Sequence, residues 1–226
     1  MSKLGTNSLR PVVGLFAFPL VMGLVACAPA HGQIPAYAGD SSPAPATTDK
    51  QTAVLAGGCF WGVDAVFKHV KGVKSVVSGY SGGDASTANY ETVSSGTTGH
   101  AESVKITYDP SQVRYADLLR VFFSVATDPT ELNRQGPDTG TQYRSVIFYA
   151  NEEQKQIAQT YIEQLDKARV FSGAIVTQVV PFKAFYPAEA YHQDFLDRHP
   201  NYPYIVFNDL PKLRALKKEF PDLYKR

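Results

Sequence analysis

The sequence predicts an α+β fold of two layers, a β-sheet with helices packed on it, and three observations predict it. Short apolar runs alternate with segments whose apolar residues recur at helical spacing. The order of these segments through the fourth strand is βαββαβ, which is that of a ferredoxin-like split βαβ core. One strand candidate places Glu102, Val104, Ile106 and Tyr108 on a single face, the period-2 mark of a strand.

The elements follow in order. Thr52 to Ala56 reads as a buried strand that Gly57-Gly58 breaks, and Val63, Val66, Phe67 and Val70 then recur at helical spacing as far as Gly72. Val73 to Ser78 is a second strand, and Glu102 to Tyr108 a third, closed by Asp109-Pro110. Tyr115, Leu118, Leu119, Phe122 and Phe123 form the apolar stripe of a second helix, followed by a strand from Ser145 to Tyr149. Glu152 to Ala168 reads as a third helix and Ile175 to Val180 as a late strand. Ala188 to His199 and Lys212 to Phe220 add C-terminal helical patterns to the two-layer sandwich.

Composition limits what such a domain can do. The chain has 226 residues, 44% of them apolar and 12% aromatic, enough for a core. With 22 basic against 21 acidic residues it has no field to gather a phosphate backbone, so nucleic acid is a poor partner. Two cysteines make neither a disulfide framework nor a four-thiolate zinc site.

Residues 1–26 read as an export signal. Lys3 and Arg10 are the only charges before Asp40, and the uncharged run from Pro11 to Ala26 is short and broken by Gly14, Pro19 and Gly23, unlike a membrane span. The run ends Leu24-Val25-Ala26-Cys27, which resembles the lipobox of bacterial lipoproteins and implies cleavage before a lipidated Cys27. Residues 27–50 then read as the lipidated cysteine and a flexible tether, because from Ala28 onward Pro, Gly, Ala, Ser and Thr dominate and cannot offset the chain's entropy. The folded domain is expected over residues 51–226.

Chemistry concentrates at Gly57-Gly58-Cys59-Phe60-Trp61-Gly62, where the first strand meets the first helix. Cys59 falls at a helix start, where unpaired amides and the positive end of the dipole favour a thiolate. A free cysteine is otherwise among the most buried residue types and commonly only packs.

The Cys-Phe-Trp-Gly run resembles the signature of the peptide methionine sulfoxide reductase A family. Four further blocks are similar to that family's, in its order: Gly79-Tyr80-Ser81-Gly82-Gly83; Tyr90 with Ser95 to Glu102; Asp138 to Ser145; and Glu189-Ala190-Tyr191-His192-Gln193. The resemblance spans about Val54 to Tyr204. It implies reduction of methionine S-sulfoxide, free or protein-bound, with Cys59 as nucleophile passing through a sulfenic acid. Glu102 would be the acid, Tyr90 and Tyr143 the phenols that hold the sulfoxide oxygen, Phe60 and Trp61 the walls of the methyl pocket, and Asp138 a carboxylate that fixes substrate and loops. His100 and His192 read as structural. The His100-Ala101-Glu102 triplet is similar to the H-x-E of zinc deaminases, which need a further cysteine pair, whereas the expected mature domain has only Cys59, so no metal is expected.

Residues 201–226 contain no cysteine to resolve the sulfenic acid, so the expected reductant is an external thiol, a thioredoxin-like protein or small dithiol, with no bound cofactor. The expected partners are oxidised proteins and peptides, that reductant, and a membrane through the lipid; the domain is expected to be a monomer. Export places it on the periplasmic side, at the outer membrane of a diderm, since Ala28 and not Asp follows Cys27. A single-cysteine thiol peroxidase or sulfenate redox sensor is the competing class, and a silent binding lipoprotein a third.

Overall fold

The computed structural model describes residues 34–39 and 49–226. The signal 1–26, Cys27 and most of the expected tether lie outside the described residues. The chain runs β1 (Gln51–Gly57), α1 (Phe60–Lys68), β2 (Val73–Ser81), a short α2 (Tyr90–Val93), β3 (Ala101–Tyr108) and α3 (Tyr115–Val121). A small hairpin follows, β4 (Arg134–Gln135) and β5 (Asp138–Thr139), then β6 (Ser145–Tyr149), α4 (Glu152–Lys167), β7 (Gln178–Pro181), β8 (Tyr186–Pro187), α5 (Phe195–Arg198) and α6 (Leu210–Glu219).

The main sheet has the order β7-β6-β1-β3-β2-β8. Its central four strands are antiparallel, with β1 between β3 and β6 and β3 between β1 and β2. That is the ferredoxin-like split βαβ arrangement, as expected. Two edge strands extend it, β7 running parallel to β6 and β8 antiparallel to β2.

Alternation along β1 divides the core. Ala53 and Leu55 face the main cluster with α1, α3, α4 and α6, while Val54 and Ala56 join Val146 and Phe148 under Val180, Phe182 and Phe185 on the other face. Both faces are therefore covered, which is why β1 is apolar throughout its buried length. On β3 the positions 102, 104, 106 and 108 point to the helix side, so Glu102 shares the face of the main core.

The expected start of the folded region at residue 51 is corrected by six upstream residues. Ile34 is buried in the main cluster at 3% exposure. Arg120 Nε donates to the Ile34 carbonyl at 2.9 Å, Tyr161 Oη to that of Pro35 at 2.6 Å, and Gln164 both donates to Ala36 O and accepts from the Ala38 amide. One isoleucine and a set of side chains able to satisfy the backbone outweigh the entropy cost that the Pro- and Ala-rich composition suggests.

Candidate active site

Cys59 is the N-cap of α1, at the end of β1 that β3 and β6 also reach. Ser145 pairs with Gly57, Tyr80 with Glu102, and continuing the β1–β3 register places Gly57 opposite Glu102. Gly58 makes the turn into the helix at φ +96°, and a Cβ there would lie 2.6 Å from Cβ of Gln135. Any other residue would be both strained and obstructed.

Glu102 is 3% exposed and accepts from the Phe60 amide at 3.0 Å. Burial, reinforced by the Asp138 carboxylate, pushes its carboxyl up to about 8 although that amide pulls the other way. At neutral pH it holds a proton.

The expectation of a resting thiolate is corrected. Cys59 is buried at 9% exposure, and its thiol is raised well above the ordinary range by burial first and then by Glu102, Asp209 and Asp138. The Trp61 amide donates toward the sulfur and opposes these effects. One amide and the dipole of a nine-residue helix do not outweigh desolvation and three carboxyls, so the resting group is a neutral thiol.

Tyr90 begins α2, whose Asn89 cap accepts from the Thr92 amide at 3.1 Å. Glu189 fixes this turn by accepting from the Tyr90 amide at 2.8 Å and from Tyr80 Oη at 2.9 Å. Tyr143 lies on the turn after β5, which Thr141 ties to Gly96 O and Gln142 to Ser94 O. Both phenols are raised, by burial first and then by charges including Glu102 and Cys59, so they stay protonated donors beside the thiol. Asp138, on β5, is held by the Tyr204 hydroxyl, and its carboxyl is raised chiefly by burial.

The aromatic residues divide their labour. Phe60 is turned into the core between Tyr80 and His192, with ring centroids 5.8 and 5.1 Å away. Trp61 keeps some exposed surface, stacks on Phe195 at 3.7 Å, and donates its indole N–H to His192 Nδ1 at 3.1 Å. His192 therefore carries its proton on Nε2, and burial lowers its basicity further. It also lies 4.4 Å from the Tyr90 ring, so this structural histidine orients two residues of the site.

The structure thus gathers Cys59, Phe60, Trp61, Tyr90, Glu102, Asp138 and Tyr143 at one end of the sheet, and Cys27 lies outside the described residues. It adds Glu189, Tyr204 and Asp209, none of which sequence reasoning gave a role. Glu189 lies in the Glu189 to Gln193 block, whereas nothing local in the sequence marks Tyr204 or Asp209. Among the described residues no group of three His, Cys, Asp or Glu side chains is placed to hold a metal.

Residues 51–223 match the family model described as peptide methionine sulfoxide reductase. The chain is 64% identical over 179 residues to the peptide methionine sulfoxide reductase MsrA 2 of Mesorhizobium japonicum, covering 79% of this chain and 92% of that one. It is 52% identical over 172 residues to the MsrA of Sulfolobus acidocaldarius, covering 76% and 96%. Among solved structures it resembles methionine sulfoxide reductase A of Corynebacterium diphtheriae, with a TM-score of 0.58 and 33% identity over 69% of this chain and 77% of that one. Reduced Mxr1 of Saccharomyces cerevisiae gives 0.60 and 33%, covering 68% and 87%.

Proposed function

Since the chain belongs to the peptide methionine sulfoxide reductase family and is an enzyme of the MsrA type, we propose that Cys59 reduces methionine S-sulfoxide, free or within proteins, through a sulfenic acid. The thiol gives up its proton as its sulfur attacks the sulfoxide sulfur, and Glu102 protonates the sulfoxide oxygen. The oxygen then passes to Cys59 as the S–O bond of the substrate and the transient bond between the two sulfurs both break. Methionine leaves two electrons richer, and Cys59 is left two electrons poorer as Cys–SOH. Tyr90 and Tyr143 donate to the oxygen without adding a competing charge. Trp61, backed by Phe60, packs on the methyl group, and Asp138 holds the loop that carries Tyr143.

The observation that carries this reading is the Glu102 carboxyl, buried and protonated, one residue from the thiol through the Phe60 amide. A neutral carboxyl at that place puts no negative charge beside the sulfur and is a good donor to a developing oxyanion.

The second half-reaction belongs to an external thiol, a thioredoxin-like protein or small dithiol. This rests on the sequence, whose only other cysteine is Cys27. The leader supports export and lipidation at Cys27, with the domain repairing oxidised proteins outside the cytoplasm at a membrane surface. Mass spectrometry after one equivalent of methionine sulfoxide, without reductant, tests the chemistry: one added oxygen on Cys59 is expected, and a Cys27–Cys59 bridge would overturn it. A peroxidase would consume hydrogen peroxide and leave the sulfoxide untouched.

A further inference from the structure

The reaction above leaves one proton without an acceptor. Glu102 must be protonated to donate, so it cannot take the proton of Cys59 in the same step. A second carboxyl is present. Asp209, just before α6, is 1% exposed, and both of its oxygens are buried without a hydrogen-bond partner. An unpartnered buried carboxyl calls for an explanation.

Its placement supplies one. The carboxyl is pushed against the first turn of α1, where a Cβ built on Gly62 would lie 2.2 Å from Oδ1 and 2.8 Å from Cγ. Gly62 is three residues from Cys59, and the missing side chain leaves the space that Asp209 fills. The ionisable groups facing Asp209 are Cys59 from the start of α1, Asp138 from the β4–β5 hairpin, and Tyr204 and Lys212 from its own helical segment. Lys212 is anchored by donating to Ala126 O at 3.0 Å.

We infer that Asp209 is the general base of the first half-reaction, taking the thiol proton of Cys59 directly or across one water while Glu102 protonates the substrate oxygen. This rests on the assignment of Cys59 and Glu102 above. The protons balance. Cys59–SH becomes the thiolate as Asp209–COO⁻ becomes the acid; the Glu102 proton ends on the sulfenic oxygen; the proton on Asp209 returns to Glu102 through solvent before the next turnover. Burial raises Asp209 to about 7 despite Lys212, against about 8 for Glu102. Between those values the base is ionised and the acid protonated, the division of roles that paired carboxyls need.

Two readouts on the full-length Asp209→Asn protein separate a proton acceptor from a packing residue. In single turnover of methionine sulfoxide from pH 6 to 9, the rate at pH 7 should fall at least tenfold and the rising limb near pH 7 should vanish. Alkylation of Cys59 by iodoacetamide without substrate should instead hold or quicken, because a negative charge beside the sulfur has been removed. Reduction that is unchanged, or that quickens along with alkylation, overturns the inference. Should the amide variant fail to fold, Lys212→Met decides: the limb should move to higher pH, and an unmoved limb overturns the inference. Cys59→Ser and Glu102→Gln separate the two levels. If both lose reduction while Asp209→Asn matches wild type, only the base is misassigned; if Cys59→Ser still reduces sulfoxide, the reading of the site fails.

Discussion

The amide of Phe60 donates to the carboxyl of Glu102, so the residue that follows Cys59 holds that carboxyl in place. The bond crosses from the first turn of α1 to the start of β3, and fixes the carboxyl relative to the sulfur without a second side chain. In Glu102→Gln the amide oxygen can still accept from Phe60, so the fold should persist with melting near that of wild type. The proton donor is gone, and the rate of sulfoxide reduction should fall by about 10² or more. Steady-state kinetics beside a thermal melt checks this; an unchanged rate would show that Tyr90 and Tyr143 suffice.

Buried carboxyls also set how the protein responds to pH. Glu102, Asp209 and Asp64 are raised to about 8, 7 and 6, each chiefly by burial. A carboxyl whose folded value exceeds its unfolded one binds more protons when folded, so its contribution is full below the unfolded value of about 4 and is lost as pH rises through the folded one. Unfolding free energy should therefore decline from about pH 5 to pH 8. Denaturant melts across that range test it, and a rise in stability over the interval would contradict the raised values. Sulfoxide reduction should also fall above pH 8, as Glu102 loses its proton.

Glu189 gives the third prediction. It holds Tyr90 through the backbone amide and braces itself on Tyr80, touching neither Cys59 nor Glu102 through a hydrogen bond. Glu189→Ala should release the turn that aims Tyr90 and lower kcat by about 10², roughly what a small misplacement of a positioned group costs. Tyr80→Phe removes only the brace and should cost less. Equal rates for wild type and Glu189→Ala would mean that Asn89 alone positions the turn.

What the sequence revealed follows from what is local. The period-2 pattern from Glu102 to Tyr108 places Glu102 on the same face as apolar neighbours, and the Gly57-Gly58 break locates Cys59 at a helix start. The ionisation state of Cys59 is not legible in the sequence because burial raises its thiol and three carboxyls from β3, β5 and the segment before α6 add to that, both of them tertiary facts. Tyr204 and Asp209 lay hidden for the same reason, since a lone Tyr and a lone Asp in a C-terminal helical pattern look like ordinary core and surface. The sequence reads His192 as structural, and its hydrogen-bond partner Trp61 is 131 positions away, so its orienting role is not visible there.

The docked residues 34–39 lie outside the matched stretch 51–223, and they set where any tether meets the domain. None of their hydrogen bonds reaches the site; they end on Arg120, Tyr161 and Gln164. Ile34→Ala removes a side chain that is 3% exposed and leaves a cavity, which costs about 2 kcal/mol or more. In a domain of this size that is a fall in Tm of about 4–8 °C. Gln164→Ala should cost less, since it abandons two exposed backbone groups that water can satisfy. Both variants should keep the wild-type rate of sulfoxide reduction while the chain near Tyr37 becomes open to protease. If Ile34→Ala melts with wild type and resists cleavage equally, the segment does not hold its place in solution, and the domain begins at β1 as its composition alone suggests.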